Sequence, residues 1–408
     1  DLYGMHWPYK QHKTSRNIKT LPHHDLLKGF GACFGVSAGY ERPMWFALDG
    51  EKAQYEYSYN YQNWYPSVEY ETNNTMTNVG LYDLTPFSKF EINSSSAHKE
   101  LQKMCTSNIK HEIGKCTYTH MLNKDGGIET DLTVVCLDEN HFRIISSAAT
   151  RERDKFHIKK HLSEKTELND VTDEYCVFGV FGPKSRLLMQ KLSKDDFSNE
   201  NFKFATSKFI TIDKIQIWAQ RLSYVGELGY ELYVKSSNAK DIYKKIIEVG
   251  KNFNISNCGM HALDTMRMES GFLHWGHDMS PEENQYQAGL DFTISFKKPI
   301  DFIGKEALEK IKNKKPNTRF AMFSLKENIP GIPLLLHDEP IYLDNEIIGR
   351  TTSGNYSFNF KKNLSFGYIK NIPLNELDHK TIYIEVEKTR YKAEILKEPL
   401  KVSNYKNI

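Results

Sequence analysis

Residues 123–135, NKDGGIETDLTVV, predict the centre of a β-hairpin. The Asp125–Gly126–Gly127 turn suits a tight reversal of the chain, because glycine reaches positive φ at little steric cost. The flanking segments, residues 116–122 and 128–136, are rich in β-branched and aromatic residues. This composition favours two paired strands on either side of the turn.

The second strand of this hairpin carries two carboxylates on one face. Side chains alternate along a strand, so Glu129, Asp131 and Thr133 lie together. The opposite face consists of Ile128, Leu132 and Val134. An acidic face of this kind is usually solvated, and the alternation alone favours that interpretation. The alternative is an acidic group held at the wall of a pocket, and the rest of the sequence has to decide between them.

Composition predicts a chain of two or three domains, because 408 residues exceed the size of one compact core. The formal net charge of +2 gives no long-range attraction to nucleic acid or to a membrane surface. No apolar run reaches the length of a membrane span, and the first residues do not form a signal peptide. We therefore expect a cytoplasmic protein, or a mitochondrial matrix protein if the source is eukaryotic, with neither nucleic acid nor membrane as partner.

Several common site types are disfavoured by the sequence. The six cysteines lack CxxC spacing, which predicts reduced packing residues and neither a zinc site nor a disulfide framework. Residues 274–278, HWGHD, bring two histidines and a carboxylate together, but no third cluster supports a metal ion. The glycines of residues 29–35 lack the preceding strand and the spacing of a dinucleotide-binding loop. No signature of a serine or cysteine nucleophile, a kinase or a phosphate loop is present.

The composition and hydrophobic pattern of the chain predict an α+β protein in three parts. Residues 1–75 are aromatic-rich and irregular, and we expect them to pack as a small subdomain. Residues 76–316 alternate strands and helices in a way that fits two related α+β halves better than a parallel doubly wound sheet. Residues 310–316 are lysine-rich without interleaved aromatics, which indicates a solvated linker and not a nucleic-acid patch. Residues 317–408 are all-β in texture and predict a small barrel-like domain.

Residues 221–234 predict a β segment that contains an unusual motif, YVGELGYEL at residues 224–232. Glycine weakens a strand unless it marks a bulge or a close approach to another group. Gly226 and Gly229 bracket Glu227, which would leave room for a planar ligand beside that carboxylate, with Tyr224 as a stacking contact. The alternative is a bulged edge hairpin, and this segment alone favours neither.

Residues 261–271, HALDTMRMESG, predict a helix that ends at a glycine cap. Asp264 and Arg267 are three residues apart, so a surface ion pair accounts for both. The alternative places Arg267 near an anionic or amide-bearing ligand.

Taken together, the ordered motifs resemble the aminomethyltransferase (glycine cleavage T-protein) superfamily, in particular the folate-binding half of dimethylglycine and sarcosine dehydrogenases. The resemblance extends from about Val79 to Tyr368. The matching segments are VGLYDLT (79–85), GGIETDL (126–132), YVGELGY (224–230), RMESG (267–271), HWGHD (274–278), DFIGKEA (301–307) and TSG (352–354). Residues 40–46, YERPMWF, resemble the region that joins the flavin domain to the folate domain in those dehydrogenases.

The sequence also departs from the family pattern. The FAD domain of the dehydrogenases has no counterpart here, so we expect that this chain alone does not oxidise an amine. Residues 145–149, ISSAA, replace a segment in which the T-protein carries an asparagine, and that folate contact is not carried over. Leu263 stands where the T-protein tends to have an arginine. Residues 301–306, DFIGKE, differ from the cysteine-bearing signature of the iron–sulfur assembly branch.

The resemblance implies tetrahydrofolate as cofactor and assigns roles to named residues. Asp131 matches the acidic residue beside the reactive nitrogens of the folate, and Glu227 matches the carboxylate that holds the pterin. A carboxylate suits the adjacent N–H donors of a pterin, because it receives both in a two-point hydrogen bond. Tyr224 and Phe87 are expected as walls of the pocket, and Arg267 as a brace.

Three functions are compatible with this resemblance. The first is a tetrahydrofolate-dependent transferase or demethylase that moves a methyl or aminomethyl/methylene unit from a small methylated amine or sulfonium donor. The second is a folate-binding subunit that captures formaldehyde equivalents from a separate flavoprotein. The third is a non-catalytic folate-binding regulatory protein. With the family in view, Asp131 is expected to do the chemistry and Glu129 to be a bystander.

Overall fold

The hairpin around residues 123–135 forms one edge of an antiparallel sheet in the computed structural model, which describes residues 4–373, 377, 380–402 and 405–408. The helices of these ranges are α1 (His24–Gly29), α2 (Tyr65–Thr77), α3 (Ala97–Met104), α4 (Arg151–His161), α5 (Ser185–Leu192), α6 (Ala239–Gly250), α7 (Met260–Glu269), α8 (Gln285–Ala288) and α9 (Lys305–Ile311). None of them is long and apolar enough to cross a membrane.

The strands fall into two open sheets, a hairpin and a barrel. In chain order they are β1 (Ala32–Ser37), β2 (Tyr40–Phe46), β3 (Val79–Asp83), β4 (Ser88–Asn93), β5 (Cys116–Leu122), β6 (Ile128–Asp138), β7 (His141–Ser146), β8 (Leu168–Asp170), β9 (Tyr175–Phe181), β10 (Ser207–Ile212), β11 (Ile215–Gln220), β12 (Gly229–Lys235), β13 (Ile255–Cys258), β14 (Thr318–Leu325), β15 (Pro340–Leu343), β16 (Glu346–Ser357), β17 (Lys362–Lys370), β18 (Ile382–Val386) and β19 (Thr389–Leu396).

The two open sheets have different strand orders. One is five-stranded and antiparallel, in the order β5-β6-β7-β4-β8. The other is six-stranded, in the order β10-β11-β12-β9-β3-β13, and only its β13–β3 pair is parallel. Strands β14 to β19 close a separate six-stranded barrel.

The two open sheets pack face to face, each with helices on its outer side. Helices α5 and α6 cover the outer face of the six-stranded sheet, and α3 and α4 cover the outer face of the five-stranded sheet. Between the inner faces lies a cluster, here the inter-sheet cluster, with residues of both sheets and of α7. Its members include Cys116, Val135, Val177, Phe181, Trp218, Tyr233, Leu263 and Met266. Strand β6 of one sheet and strand β12 of the other both contribute to this cluster, through Val135 and Tyr233.

The α+β class and the C-terminal barrel are confirmed. Two related α+β layers fit the expectation of two halves, and the barrel occupies the region in which an all-β domain was predicted. The domain boundaries at residues 75 and 316 stay a prediction. The N-terminal segment does not form a core of its own, because Leu27 and Phe46 pack in the outer cluster of the six-stranded sheet and Trp45 and Trp64 pack in the inter-sheet cluster.

Candidate functional site

Asp131 lies on the inner face of the five-stranded sheet, with its carboxylate partly withdrawn from water. Its side chain is 21% exposed, and its Oδ1 lies 3.4 Å from Nε2 of the fully buried His120 on the neighbouring strand. Oδ1 has no hydrogen-bond partner among the described residues. Burial raises the pKa of Asp131 to about 7. A buried, unpartnered carboxylate oxygen that titrates near neutrality is typical of a functional site.

Alternation along β6 explains why Asp131 points between the sheets. Leu132, Val134 and Cys136 pack in the outer cluster with α3 and α4. Val135, which lies on the same face as Asp131, packs in the inter-sheet cluster instead. The alternation predicted from the sequence is present, and the acidic face is turned toward a second sheet.

A second carboxylate, Glu231 on β12, lies on the inner face of the opposite sheet. On this strand Tyr230, Leu232 and Val234 pack in the outer cluster, while Tyr233 packs in the inter-sheet cluster. Glu231 shares the face of Tyr233, whose hydroxyl donates to Glu231 Oε2 at 3.2 Å. Burial raises the pKa of Glu231 to about 7. The sequence prediction did not include this residue, although the alternating run GYELYV held the signal.

Glu227, the carboxylate predicted for pterin contact, is not brought into this group. It forms an ion pair with Lys401, and both side chains are nearly buried, at 12% and 8% exposed. The pair lines a surface cleft of about 340 Å³ together with Leu400, Val402 and Tyr405. Because its carboxylate is engaged by the C-terminal segment, Glu227 holds that segment against the body of the protein.

Tyr224 and Phe87 both pack against the inter-sheet cluster. The hydroxyl of Tyr224 donates to the carbonyl of Leu273 at 2.9 Å, and its ring stacks on Phe272. Burial raises the pKa of Tyr224, and the negative charge of Asp131 adds to the increase. Their role as walls of a folate pocket stays a prediction.

The chain from residue 221 to 228 is not the continuous strand that the sequence predicted. β11 ends at Gln220 and β12 begins at Gly229, with a bend between them. Gly226 has a φ of +69°, and a Cβ there would lie 2.1 Å from Ser270 Oγ. Burial of Val225 and Leu228 pins the bend to the core, which aims Tyr224 at the space between the sheets.

Arg267 on α7 is a buried brace. Its guanidinium donates to Asp264 Oδ1 at 2.8 Å, to Asp278 Oδ2 at 2.5 Å, to the carbonyl of Phe272 at 3.1 Å and to Ser353 Oγ on β16 at 2.8 Å. Burial alone would lower the pKa of Arg267, but the two carboxylates outweigh it and raise the pKa. With its donors committed to the protein, Arg267 ties α7 to the barrel, and its predicted role in a folate site stays a prediction.

The HWGHD segment is organised by Asp278. This carboxylate is fully buried and accepts from Thr352 Oγ1 at 2.6 Å, Ser353 Oγ at 2.7 Å and the backbone N–H of His274 at 3.0 Å, in addition to Arg267. Within the described ranges, no group of three or more histidine, cysteine or carboxylate side chains is arranged to hold a metal ion. The role of Asp278 is to fix the loop after α7.

Glu129, the other carboxylate of the opening hairpin, is paired. It forms an ion pair with Arg153 of α4, whose guanidinium also donates to the Glu129 carbonyl and lies 4.7 Å from the ring centre of Trp275. The indole of Trp275 donates to the carbonyl of Ile128 at 3.1 Å. Glu129 therefore anchors α4 and the loop after α7 to the hairpin, while Asp131 retains an unpartnered oxygen.

Two models of known protein families match this chain. Residues 23–298 match the model of the GCVT N-terminal domain, and residues 319–401 match that of the glycine cleavage T-protein C-terminal barrel domain. The chain belongs to the glycine cleavage T-protein family. The resemblance stated from the sequence motifs is thereby confirmed, as is tetrahydrofolate as the cofactor of this family of one-carbon transferases.

Relatives of this T-protein family member include both larger oxidising enzymes and a protein of similar length. The present chain is 38% identical over 356 residues to 4-methylaminobutanoate oxidase (formaldehyde-forming) of Paenarthrobacter nicotinovorans, and the match covers 87% of this chain and 43% of that protein. It is 34% identical over 375 residues to mitochondrial dimethylglycine dehydrogenase of Rattus norvegicus, covering 90% and 42%. It is 30% identical over 335 residues to the aminomethyltransferase of Alkaliphilus metalliredigens, covering 81% and 88%. The chain thus spans less than half the length of the two oxidising relatives.

A solved structure supports the fold. The crystal structure of glycine cleavage system aminomethyltransferase T from Bartonella henselae matches with a TM-score of 0.79 and 20% identity, over 94% of this chain and 98% of that one. The similarity confirms the arrangement of two α+β layers and a C-terminal barrel.

Proposed function

We propose that this T-protein family member binds tetrahydrofolate between its two open sheets and uses it to capture a one-carbon unit released from a small methylated amine. The observation that carries the proposal is the unpartnered Oδ1 of Asp131 on the inner face of one sheet. A second carboxylate, Glu231, lies on the inner face of the other sheet beside Tyr233 of the inter-sheet cluster. Carboxylates withdrawn from water are costly to folding, which argues for a ligand that compensates them.

The residues of this space fit the chemistry of a reduced pterin. Its ring presents adjacent N–H donors, and Glu231 is a carboxylate that can receive two of them. Aromatic and aliphatic walls are available in Phe87, Tyr224 and Ile145, which pack against the inter-sheet cluster. We therefore assign the pterin to Glu231 and not to Glu227, because Lys401 already occupies the Glu227 carboxylate.

Asp131 serves as the acid–base and electrostatic group of the reaction. When bound, tetrahydrofolate supplies the amine nitrogens that take up a carbon at the oxidation level of formaldehyde. Asp131 in its ionised form stabilises the carbon while it is a cationic iminium and accepts the proton that is released when the new C–N bond forms. The group that leaves the carbon is water when it arrives as formaldehyde and the parent amine when it arrives as an iminium. Its pKa of about 7 suits both directions of proton transfer at neutral pH.

The relatives support a methylated amine as the source of the carbon. The names of the oxidase and the dehydrogenase describe oxidation of methylated amines, and in the first case formation of formaldehyde. The part of those proteins that this chain does not match is more than half of their length. We propose that an FAD-dependent amine-oxidising part, on the same polypeptide or on a separate subunit, supplies the formaldehyde equivalent to this chain.

The proposal is tested by turnover. Purified chain is mixed with tetrahydrofolate and a low concentration of formaldehyde, and methylenetetrahydrofolate is followed above the uncatalysed rate. We expect acceleration that rises with pH through about 7 as Asp131 ionises, and a loss of about 100- to 1,000-fold in Asp131→Asn.

The control is Glu129→Gln, which changes the neighbouring carboxylate on the same face and should retain most of the rate. Adding dimethylglycine and a separate flavoprotein then tests the donor. Binding of tetrahydrofolate without any acceleration would support the regulatory alternative and overturn the catalytic proposal.

A further inference from the structure

His120 is a buried histidine beside Asp131 that the proposed reaction has not used. Its side chain is fully buried on β5, directly opposite Asp131 in the strand register. Nδ1 lies 3.0 Å from Oγ1 of Thr293, and Nε2 lies 3.3 Å from the hydroxyl of Tyr118 and 3.4 Å from Asp131 Oδ1. The two ring nitrogens thus have different partners, and hydrogen-bond chemistry decides which of them carries the proton.

Thr293 fixes the tautomer. Its hydroxyl lies 2.7 Å from the carbonyl oxygen of Leu290, which can only accept, so the single hydroxyl proton of Thr293 is donated there. Toward His120 the Thr293 oxygen can then only accept, and Nδ1 must be the protonated nitrogen. Burial lowers the pKa of His120 to about 3, so the ring is neutral in the working range of pH. A neutral imidazole protonated at Nδ1 has an unprotonated Nε2.

The Nε2 lone pair therefore faces Asp131. When Asp131 is ionised, two lone pairs meet across 3.4 Å, and among the residues that the structure describes the donor beside them is the hydroxyl of Tyr118. When Asp131 is protonated, its O–H can donate to Nε2 of His120. The other titratable groups that face Asp131 are Asp154 of α4 and Tyr224, and neither supplies a positive charge to hold the carboxylate ionised.

We propose that Thr293, by fixing the tautomer of His120, allows one proton to be held between Asp131 Oδ1 and His120 Nε2. The site deepens the proposed function, since the proton that Asp131 accepts during carbon transfer would rest there, shielded from water, until it is released. His120 and Thr293 are positioning residues in this scheme, because they act on the reaction only through Asp131. Tyr118 is the alternative donor to Nε2 and takes the place of the proton when Asp131 is ionised.

The test measures the protonation states of His120 and Asp131 and needs no folate. Chain labelled with ¹⁵N-histidine and ¹³Cγ-aspartate is studied by NMR between pH 5 and 9, with the signals of His120 and Asp131 assigned by their loss in His120→Asn and Asp131→Asn. We expect His120 to be protonated at Nδ1 only across this range, and Asp131 to titrate near the value of about 7 set by its surroundings.

Thr293→Val removes the acceptor for Nδ1, and Thr293→Ser is the matched control that keeps the hydroxyl. In Thr293→Val we expect the proton to move to Nε2, donate to the Asp131 carboxylate and lower the midpoint of Asp131 titration by at least one pH unit. In Thr293→Ser the tautomer and the midpoint should remain those of the unsubstituted chain.

A proton on Nε2 in the unsubstituted chain would overturn the proposal, even if Thr293→Val failed to fold. So would a Thr293→Val chain in which the tautomer changes and the titration of Asp131 does not. Because these spectra are recorded without folate, they test the proton site independently of the proposed function. Loss of folate binding with the expected tautomer would overturn the function alone.

Discussion

The surroundings of Asp131 favour the protonated form of its carboxyl group. The folded protein is therefore less stable at pH values where this group is ionised. The pKa of Asp131 in the folded chain is about 7, above the value of about 3.9 expected for the unfolded chain. The folded state therefore binds the proton more tightly than the unfolded state, and stability falls as pH rises from about 4 to about 7. A functional group placed against folding stability is a common feature of active sites.

Asp131→Asn is therefore expected to stabilise the protein at pH 8 and to make much less difference at pH 5. Full burial would give an upper limit of about 4 kcal/mol at about 1.4 kcal/mol per pKa unit. The remaining exposure of 21% lets water screen the charge, and we expect a gain of about 1–3 kcal/mol. Chemical denaturation at the two pH values measures it. Asp125→Asn, at an exposed turn position, is the control. Equal gains at pH 5 and pH 8 would contradict the burial argument.

Single residues also mark the limit of prediction from sequence. Asp131 and its separation from Glu129 were predicted because an acidic hairpin strand and family motifs lie within one short segment. Glu227 and Glu231 belong to the same motif, and although alternation places Glu231 on one face of a strand, it does not show which glutamate is left without a cationic partner. The partner that occupies Glu227 is Lys401, which is 174 residues away along the chain. Only the folded structure reveals which of the two glutamates is left facing the inter-sheet cluster.

At the scale of elements, the hairpin turn depends on close packing against a distant loop. A Cβ on Gly127 would lie 1.9 Å from the carbonyl oxygen of Pro281, and the backbone N–H of Ile128 donates to the carbonyl of Glu283 at 2.9 Å. The turn therefore holds the register of the strand that carries Asp131, and a side chain at residue 127 would push these segments apart.

Gly127→Ala is expected to lower the free energy of unfolding by about 1–3 kcal/mol, because overpacking against backbone forces a shift. Gly29→Ala is the matched control, since a Cβ there has no atom within 4 Å, and it should change stability by less than about 0.5 kcal/mol. Both are measured by denaturation at one pH. A Gly127→Ala chain as stable as Gly29→Ala would show that the loop yields freely.

Elements with strong local patterns were predicted well. The segment 116–122 is the whole of β5, and the helix predicted at residues 261–271 corresponds to α7, because alternation and helical periodicity are local. The bend at residues 221–228 was missed. It depends on burial of Val225 and Leu228 and on the contact of Gly226 with Ser270 across the chain, and no local pattern encodes these contacts.

At the scale of the whole molecule, α7 links the inter-sheet region to the barrel. Arg267 joins Asp278, which is fully buried, to Ser353 of β16. Glu269 at the end of the same helix accepts from Ser357 Oγ at 2.7 Å and from Asn359 Nδ2 at 2.9 Å. The barrel is thus fixed to the layered part of the protein by buried polar contacts.

Arg267→Met is expected to destabilise the protein by about 3–5 kcal/mol, since it leaves the Asp278 carboxylate buried without a cation. Lys245→Met is the control, because Lys245 pairs with Asp213 and Glu248 at the surface, over 3.5 and 3.6 Å. Its loss should cost less than about 1 kcal/mol. Thermal unfolding compares the two variants, and equal midpoints would rule out the bracing role of Arg267.

The central claim is that tetrahydrofolate lies between the two sheets, with its pterin on Glu231. The most direct measurement is calorimetric titration of tetrahydrofolate into the unsubstituted chain, Glu231→Gln and Glu227→Gln at pH 8, above the Glu231 pKa of about 7. Hydrogen bonds to a charged group are worth about 1.5–3 kcal/mol. Glu231→Gln should therefore raise Kd by about 10- to 100-fold, while Glu227→Gln should leave it within about threefold. Weakened binding in Glu227→Gln, with Glu231→Gln unchanged, would contradict this account.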